Sequence, residues 1–283
     1  MTATPMIWQC RQQSIALGPR TLVMGIVNIT PDSFSDGGQF LDPARAVEHG
    51  LRLAGEGADI LDFGAESTRP GSQPVPPEEQ IRRLRPVILS LRPQTQALLS
   101  IDTCSSIVAN EMLDLGADVI NDISALRMDS ALGAVAARHR AGLVLMHMLG
   151  MPATMQINPV YDDVVKEVKD FLRERIAYAV RCGVREQSIV IDPGIGFGKT
   201  VDHNLELLAH LEAFGELGCP VLSGVSRKSF IGRILGLDVH ERLEGTLAAV
   251  AASILNGARI VRVHDVKEVR RAVDVIDAIR LRQ

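Results

Sequence analysis

Eight short β-branched apolar runs, each followed by a loop and then an amphipathic stretch, predict an α/β fold that closes into a TIM (β/α)8 barrel. The runs occupy residues 22–27, 59–63, 98–101, 118–120, 142–146, 188–191, 221–224 and 259–263. Their near-continuous apolarity suits strands buried on both faces of a parallel sheet. The chain has 283 residues and no low-complexity segment or linker, a length that one barrel fills. The expectation is one domain over residues 1–283. A doubly wound open sheet is the rival, because sequence counts strands better than it orders them.

Taken in order, residues 6–10 and 14–17 predict a short N-terminal β-hairpin before the first barrel strand. Asp42-Pro43 reads as an N-cap followed by proline at the first helical position, with Ala46, Val47, Gly50, Leu51 and Ala54 on one face. Pro76-Pro77-Glu78-Glu79 opens the next helix, which turns Ile81, Leu84 and Ile88 inward. Residues 161–182 predict a longer helix that ends at Gly183 as a C-cap. The last helix carries Val266, Val269, Val273 and Ile276 on a stripe. Met112, Met128, Met148, Met151 and Met155 read as packing. Arg82, Arg83, Arg85 and the Arg270-Arg271 pair read as solvated helix faces.

Composition narrows the function. Net charge is -4 and aromatic residues make up 4%, which argues against a nucleic-acid partner or an anionic membrane surface. An anionic substrate would need a local cationic pocket. Cys10, Cys104, Cys182 and Cys219 form no CxxC pair and have no histidine at zinc-ligand spacing, so they read as free thiols in a reducing cytoplasm. Trp8, Gln9, Cys10 and Arg11 interrupt any N-terminal apolar run, so no signal peptide is expected. The apolar stretch 246–255 is too short to span a bilayer.

Barrel chemistry sits at the C-terminal ends of the strands. Those ends are Asn28, Gly64-Ala65-Glu66, Asp102, Asn121-Asp122, His147, Asp192, Ser226-Arg227-Lys228 and Arg262-Val263-His264. Helix capping accounts for some of these polar residues, and Asp102 is a candidate cap. Capping does not account for cations at two ends with carboxylates between them. Thr68, Arg69, Arg262 and a potentially cationic His264 suit a phosphate or pyrophosphate. Asp102, Asn121, Asp192 and Lys228 form a mixed donor–acceptor set suited to a flat heterocycle. His147, between two methionines, reads as a supporting residue rather than a catalyst. The loops 28–38 and 66–74 are too long and too rich in Gly, Pro, Ser and Asp for simple connectors, and they read as active-site lids. The segment GIGFGKT at 194–200 lacks the spacing of a nucleotide loop.

At these residues the sequence resembles the dihydropteroate synthase family. The likeness rests on MGIVNITPDSFSDGG at 24–38, ESTRPGS at 66–72, SIDT at 100–103, NDI at 121–123, MHM at 146–148, DPGIGFG at 192–198, SRKS at 226–229 and RVHD at 262–265. It runs in register from about residue 22 to the C-terminus; the segment before residue 22 is unmatched. The resemblance implies a TIM barrel that forms a homodimer, uses Mg²⁺, and joins 6-hydroxymethyl-7,8-dihydropterin pyrophosphate to p-aminobenzoate. It implies that Asp102, Asn121, Asp192 and Lys228 bind the pterin, with Met146 on the ring, and that Asn28 is linked to the metal. It implies Thr68, Arg69, Arg262 and His264 for the pyrophosphate, and Phe34, Pro70, Phe197 and Ser229 around the p-aminobenzoate. Asp102, Lys228, Asp32 and Arg69 are the expected catalytic residues, and sulfonamide sensitivity is expected.

The chemistry expected is a dissociative substitution. Cations stabilise the departing pyrophosphate, and a buried carboxylate at Asp102 stabilises the methylene cation. A folate–corrinoid methyltransferase would share the barrel and the pterin set but would not need Thr68, Arg69 and Arg262. A catalytically silent pterin-binding paralogue typically loses loop residues, whereas Asp32, Phe34, Thr68 and Arg69 are all present.

Overall fold

The structure, a computed structural model, describes residues 6–30, 42–67, 74–151 and 154–282. Strands β1 (Met6–Cys10) and β2 (Gln13–Leu17) form an antiparallel hairpin. The remaining strands are β3 (Leu22–Asn28), β4 (Ile60–Gly64), β5 (Leu98–Asp102), β6 (Val119–Asp122), β7 (Gly142–Met146), β8 (Ile189–Asp192), β9 (Leu222–Ser223) and β10 (Ile260–Val263). They pair in parallel in the order β8-β7-β6-β5-β4-β3-β10-β9. A parallel bridge between Ile191 and Val221 brings β8 to the start of β9 and closes the ring, which rejects the open-sheet rival.

Helices cover the outside. They are α1 (Pro43–Gly55), α2 (Pro77–Leu91), α3 (Ser106–Asp114), α4 (Leu132–His139), α5 (Val164–Arg181), α6 (Val201–Ala209), α7 (Ser229–Leu235), α8 (Leu243–Leu255) and α9 (Val266–Arg280). Asp42 caps α1 by accepting from the Ala44 amide at 2.9 Å, with proline following as expected. Helix α5 begins three residues later than predicted. The Asp163 side chain caps it by accepting from the Lys166 amide at 2.9 Å, and the Tyr161 hydroxyl instead donates to the Gly198 carbonyl at 2.9 Å.

Strand parity divides the core. One set of side chains, including Val23, Leu61, Phe63, Leu99, Ile120, Leu143, Ile191 and Val261, packs outward beneath the helices. The alternate set points into the barrel. At its lower end Leu22, Met24, Ile60, Leu98, Val119, Val144, Val190, Leu222 and Ile260 form one cluster with Trp8, Cys10 and Leu17 of the hairpin. The hairpin therefore plugs the bottom of the barrel. Trp8 is fully buried there and its indole N–H donates to the Ser188 carbonyl at 3.0 Å. Burying one indole contributes about 5 kcal/mol before entropy. Arg11 adds two hydrogen bonds, to the Leu113 and Ala117 carbonyls at 2.5 and 2.8 Å.

Some surface expectations are corrected. Arg270 is buried, not solvated: it donates to the Thr21 carbonyl at 3.0 Å and to Asp274 at 2.9 Å, pinning α9 to the start of β3. Arg83 is only partly solvated, because it donates to the Ala65 carbonyl at 3.0 Å. Met112, Met148 and Met155 are buried, but Met128 and Met151 are exposed.

Candidate active site

The same parity that builds the plug builds the site. Two residues above each plug residue stand Asp62 on β4, Asn121 on β6, Met146 on β7, Asp192 on β8 and Arg262 on β10. Asp102 stands one step higher on β5, and Asn28 ends β3. Apolar side chains seal the lower layer and polar ones fill the upper, so the upper end of the barrel is a polar well with an apolar floor.

Asp62 organises that well. It is fully buried, and its Oδ2 accepts from Arg262 Nε at 2.6 Å and from Asn121 Nδ2 at 3.0 Å. The other end of the Arg262 guanidinium donates Nη2 to Asp102 Oδ2 at 2.9 Å. One guanidinium thus joins β10 to β4 and β5, and one carboxylate orients both Arg262 and Asn121. Asp62 is absent from the residues predicted above. Its signal was present in the sequence: it is the lone charge inside the run ILDFG, and it shares strand parity with the other inward residues.

Burial pushes the Asp102 carboxyl up to about 7, opposed by Arg262 and reinforced by Asp62. Asp102 does not cap α3; Ser105 does, accepting from the Val108 amide. Burial also raises Asp192, whose Oδ1 accepts from the Gly194 amide at 2.7 Å. Lys228 is brought down to about 8 by burial, against the pull of Asp192. Its Nζ lies 4.0 Å from the centre of the Phe197 ring, a cation–π contact. Met146 is buried with Ile123, Met148 and Met155, and Phe197 packs against that cluster. Ser229 is the exposed first residue of α7.

His264, potentially cationic by sequence, is uncharged here. Burial, together with Arg262 and Arg227, pushes its imidazole down to about 3, so it is neutral. Ser226 Oγ accepts from the His264 backbone amide at 3.2 Å and lies 3.0 Å from Nδ1. Neutral, and held through Nδ1, His264 meets a ligand through Nε2 by a hydrogen bond and not by a charge. Arg262 puts two of its five N–H donors on carboxylates, a pairing that sequence spacing did not reveal.

The turn after β8 is tightly braced. Gly194 has φ +70°, and a Cβ there would overlap the His147 carbonyl oxygen. The aliphatic stem of Lys228 crosses Gly196, where a Cβ would sit 2.9 Å from Cδ. Lys199, also unpredicted, is buried; it donates to His147 Nδ1 at 2.9 Å and to the Phe197 carbonyl at 3.0 Å. His147 is therefore a support, as its sequence context suggested. Asp32, Phe34, Thr68, Arg69 and Pro70 lie outside the described residues.

A family profile described as pterin binding enzyme matches residues 24–264. The dihydropteroate synthase of Neisseria meningitidis serogroup B is 46% identical over 279 residues, which cover 96% of this chain and 97% of that protein. The solved Xanthomonas albilineans dihydropteroate synthase with 4-aminobenzoic acid matches with a TM-score of 0.91 at 46% identity, covering 98% of this chain and 99% of that one. The same organism's enzyme in complex with 7,8-dihydropteroate matches with a TM-score of 0.86 at 44% identity, covering 97% and 98%.

Proposed function

The chain belongs to the pterin binding enzymes as a member of the dihydropteroate synthases, and from that premise we propose how its residues carry the reaction. The activity is the folate-biosynthetic transfer of 6-hydroxymethyl-7,8-dihydropterin from its pyrophosphate to p-aminobenzoate, giving 7,8-dihydropteroate and pyrophosphate. The observation that carries the assignment of roles is the polar well: Asp102, Asn121, Asp192 and Lys228 converge above a sealed apolar floor.

The pterin lies in this well with its ring against Met146. Asp192 accepts from the ring N–H groups, and Asn121, oriented by Asp62, reads a donor and an acceptor together. Lys228 donates to a ring acceptor. The methylene–oxygen bond to pyrophosphate breaks, and the ionised Asp102 stabilises the cation left on the pterin. The arylamine nitrogen, neutral at pH 7, then bonds to the methylene carbon and releases a proton to solvent. Thr68, Arg69, the neutral His264 donor and Arg262 hold the pyrophosphate. Arg262 keeps guanidinium N–H donors beyond the two bonded to Asp62 and Asp102, and these meet phosphate oxygen. Phe34, Pro70, Phe197 and Ser229 surround the p-aminobenzoate, and Asp32 and Arg69 complete the reacting site.

Mg²⁺ fits as the metal, with Asn28 as its protein link. Among the described residues no cluster of three or more His, Cys, Asp or Glu gathers to hold an ion. Mg²⁺ takes one or two protein oxygens with water and substrate phosphates, and the Asn28 amide oxygen meets that need. When bound, the ion neutralises charge on the departing pyrophosphate.

The homodimer reading is supported by an apolar groove of about 390 Å³ between α6, α7 and α8, lined by Leu205, Phe230, Ile234, Leu235 and Ala252. Leu205, Ile234 and Leu235 are 43%, 53% and 48% exposed, an apolar surface of the kind a second subunit covers. The free cysteines support a reducing cytoplasm, and among the described residues no helix is long and apolar enough to cross a membrane.

The test incubates the purified chain with the pterin pyrophosphate, Mg²⁺ and labelled p-aminobenzoate. Labelled dihydropteroate is expected, and its formation should be lost with Arg69→Ala or Lys228→Ala. Pterin binding without product from the unaltered chain would overturn the reading.

A further inference from the structure

We propose that Lys199 is a positioning residue: held by His147 and the Phe197 carbonyl, its buried amino group sets the turn on which Lys228 and Phe197 meet. Lys199 is 3% exposed, and burial brings its amine down to about 7. Its Nζ ends on two atoms, His147 Nδ1 at 2.9 Å and the Phe197 carbonyl at 3.0 Å. His147 is itself fixed: its backbone amide donates to the Asp192 carbonyl at 2.9 Å, and its ring stands edge-on to Phe171 at 4.8 Å.

The turn has ample hydrogen bonding without Lys199. Gln156 donates to the Gly196 carbonyl at 2.6 Å, the Gly196 amide donates to Asn204 at 2.6 Å, and Tyr161 donates to the Gly198 carbonyl at 2.9 Å. An apolar side chain at 199 would close the same volume without burying a polar group, which is the less costly choice for stability alone. What Lys199 adds is a fixed direction for the Phe197 peptide. That direction sets the Phe197 ring, and the ring sets where Lys228 Nζ rests, 4.0 Å from its centre. The clamp therefore acts on both substrates, through Lys228 on the pterin and through Phe197 on the arylamine. This inference rests on the roles given to those two residues above.

The experiment compares unaltered enzyme with Lys199→Met and with His147→Phe, which keeps the lysine but removes one of its two partners. KM for both substrates is expected to rise about tenfold, the scale of a small misplacement of binding groups, while kcat changes by less than about threefold. A lower melting temperature or active fraction with unchanged KM values would make the role merely structural and overturn the proposal. If Lys199→Met does not fold, His147→Phe decides, and unchanged KM values in it overturn the proposal. Unaltered enzyme that forms no dihydropteroate would sink the functional reading instead, so the two failures are distinct.

Discussion

Replacing Asp62 with alanine removes the shared acceptor of two buried donors at once. Arg262 Nε loses a charge-assisted bond of 2.6 Å and Asn121 Nδ2 loses one of 3.0 Å. Both bonds run to a carboxylate, and a hydrogen bond to a charged group is worth roughly 1.5–3 kcal/mol, so the losses sum to roughly 3–6 kcal/mol. Two features reduce that. Asp62 Oδ1 is buried with no partner among the described residues, so removing it relieves a desolvation cost. The Arg262 side chain is 22% exposed and water can reach it. A net destabilisation of about 2–3 kcal/mol is expected. Urea titration of both proteins checks it. Losing about 2 kcal/mol of orientation at Asn121 and Arg262 would also raise KM for the pterin pyrophosphate by about 30-fold, measured by initial rates. Stability within about 0.5 kcal/mol and KM within about twofold of the unaltered chain would refute Asp62 as the organiser of the well.

Three other perturbations probe separate parts. The pterin kcat/KM should rise as Asp102 ionises through about 7 and fall as Lys228 loses its proton above about 8. In pH–rate profiles Asp102→Asn should flatten the acid limb and Lys228→Met the alkaline limb; a limb that survives its substitution excludes that residue. Gly194→Ala should abolish pterin binding, by calorimetry, because the added methyl overlaps the His147 carbonyl at φ +70°. Trp8→Ala should cost about 3–5 kcal/mol in chemical denaturation yet leave both KM values unchanged, since the plug and the reacting end lie at opposite ends of the barrel.

The fold was legible because both of its signals are local. The apolar runs mark strands buried on two faces, and Asp42-Pro43 marks a helix start that the structure reproduces. Site residues at strand ends, such as Asp102, Asn121 and Asp192, were legible from their place after an apolar run. What sequence could not convey was pairing across the barrel. Arg262 and Asp62 are 200 residues apart and meet only because β10 lies beside β3, which lies beside β4. Nor could it convey burial, which turns the potentially cationic His264 into a neutral imidazole and hides Lys199 beneath the turn it follows. Arg270 misled for the same reason: its helical position looks solvent-facing until the Thr21 carbonyl is seen beneath it.

The hairpin at the base of the barrel also governs the order in which the molecule can assemble. Trp8 is made well before Leu222 and Ile260, yet all three share one cluster. The seat for the hairpin does not exist until β9 and β10 join the ring, so a segment made before the barrel completes its packing after it. Contacts this distant in sequence slow folding, because a long loop must close before they form. Trp8 is the only tryptophan in the chain, so its fluorescence reports that final seating. During refolding the emission change should trail the recovery of helical circular dichroism, and until it is complete the underside of the barrel presents a ring of bare aliphatic side chains to any passing chain.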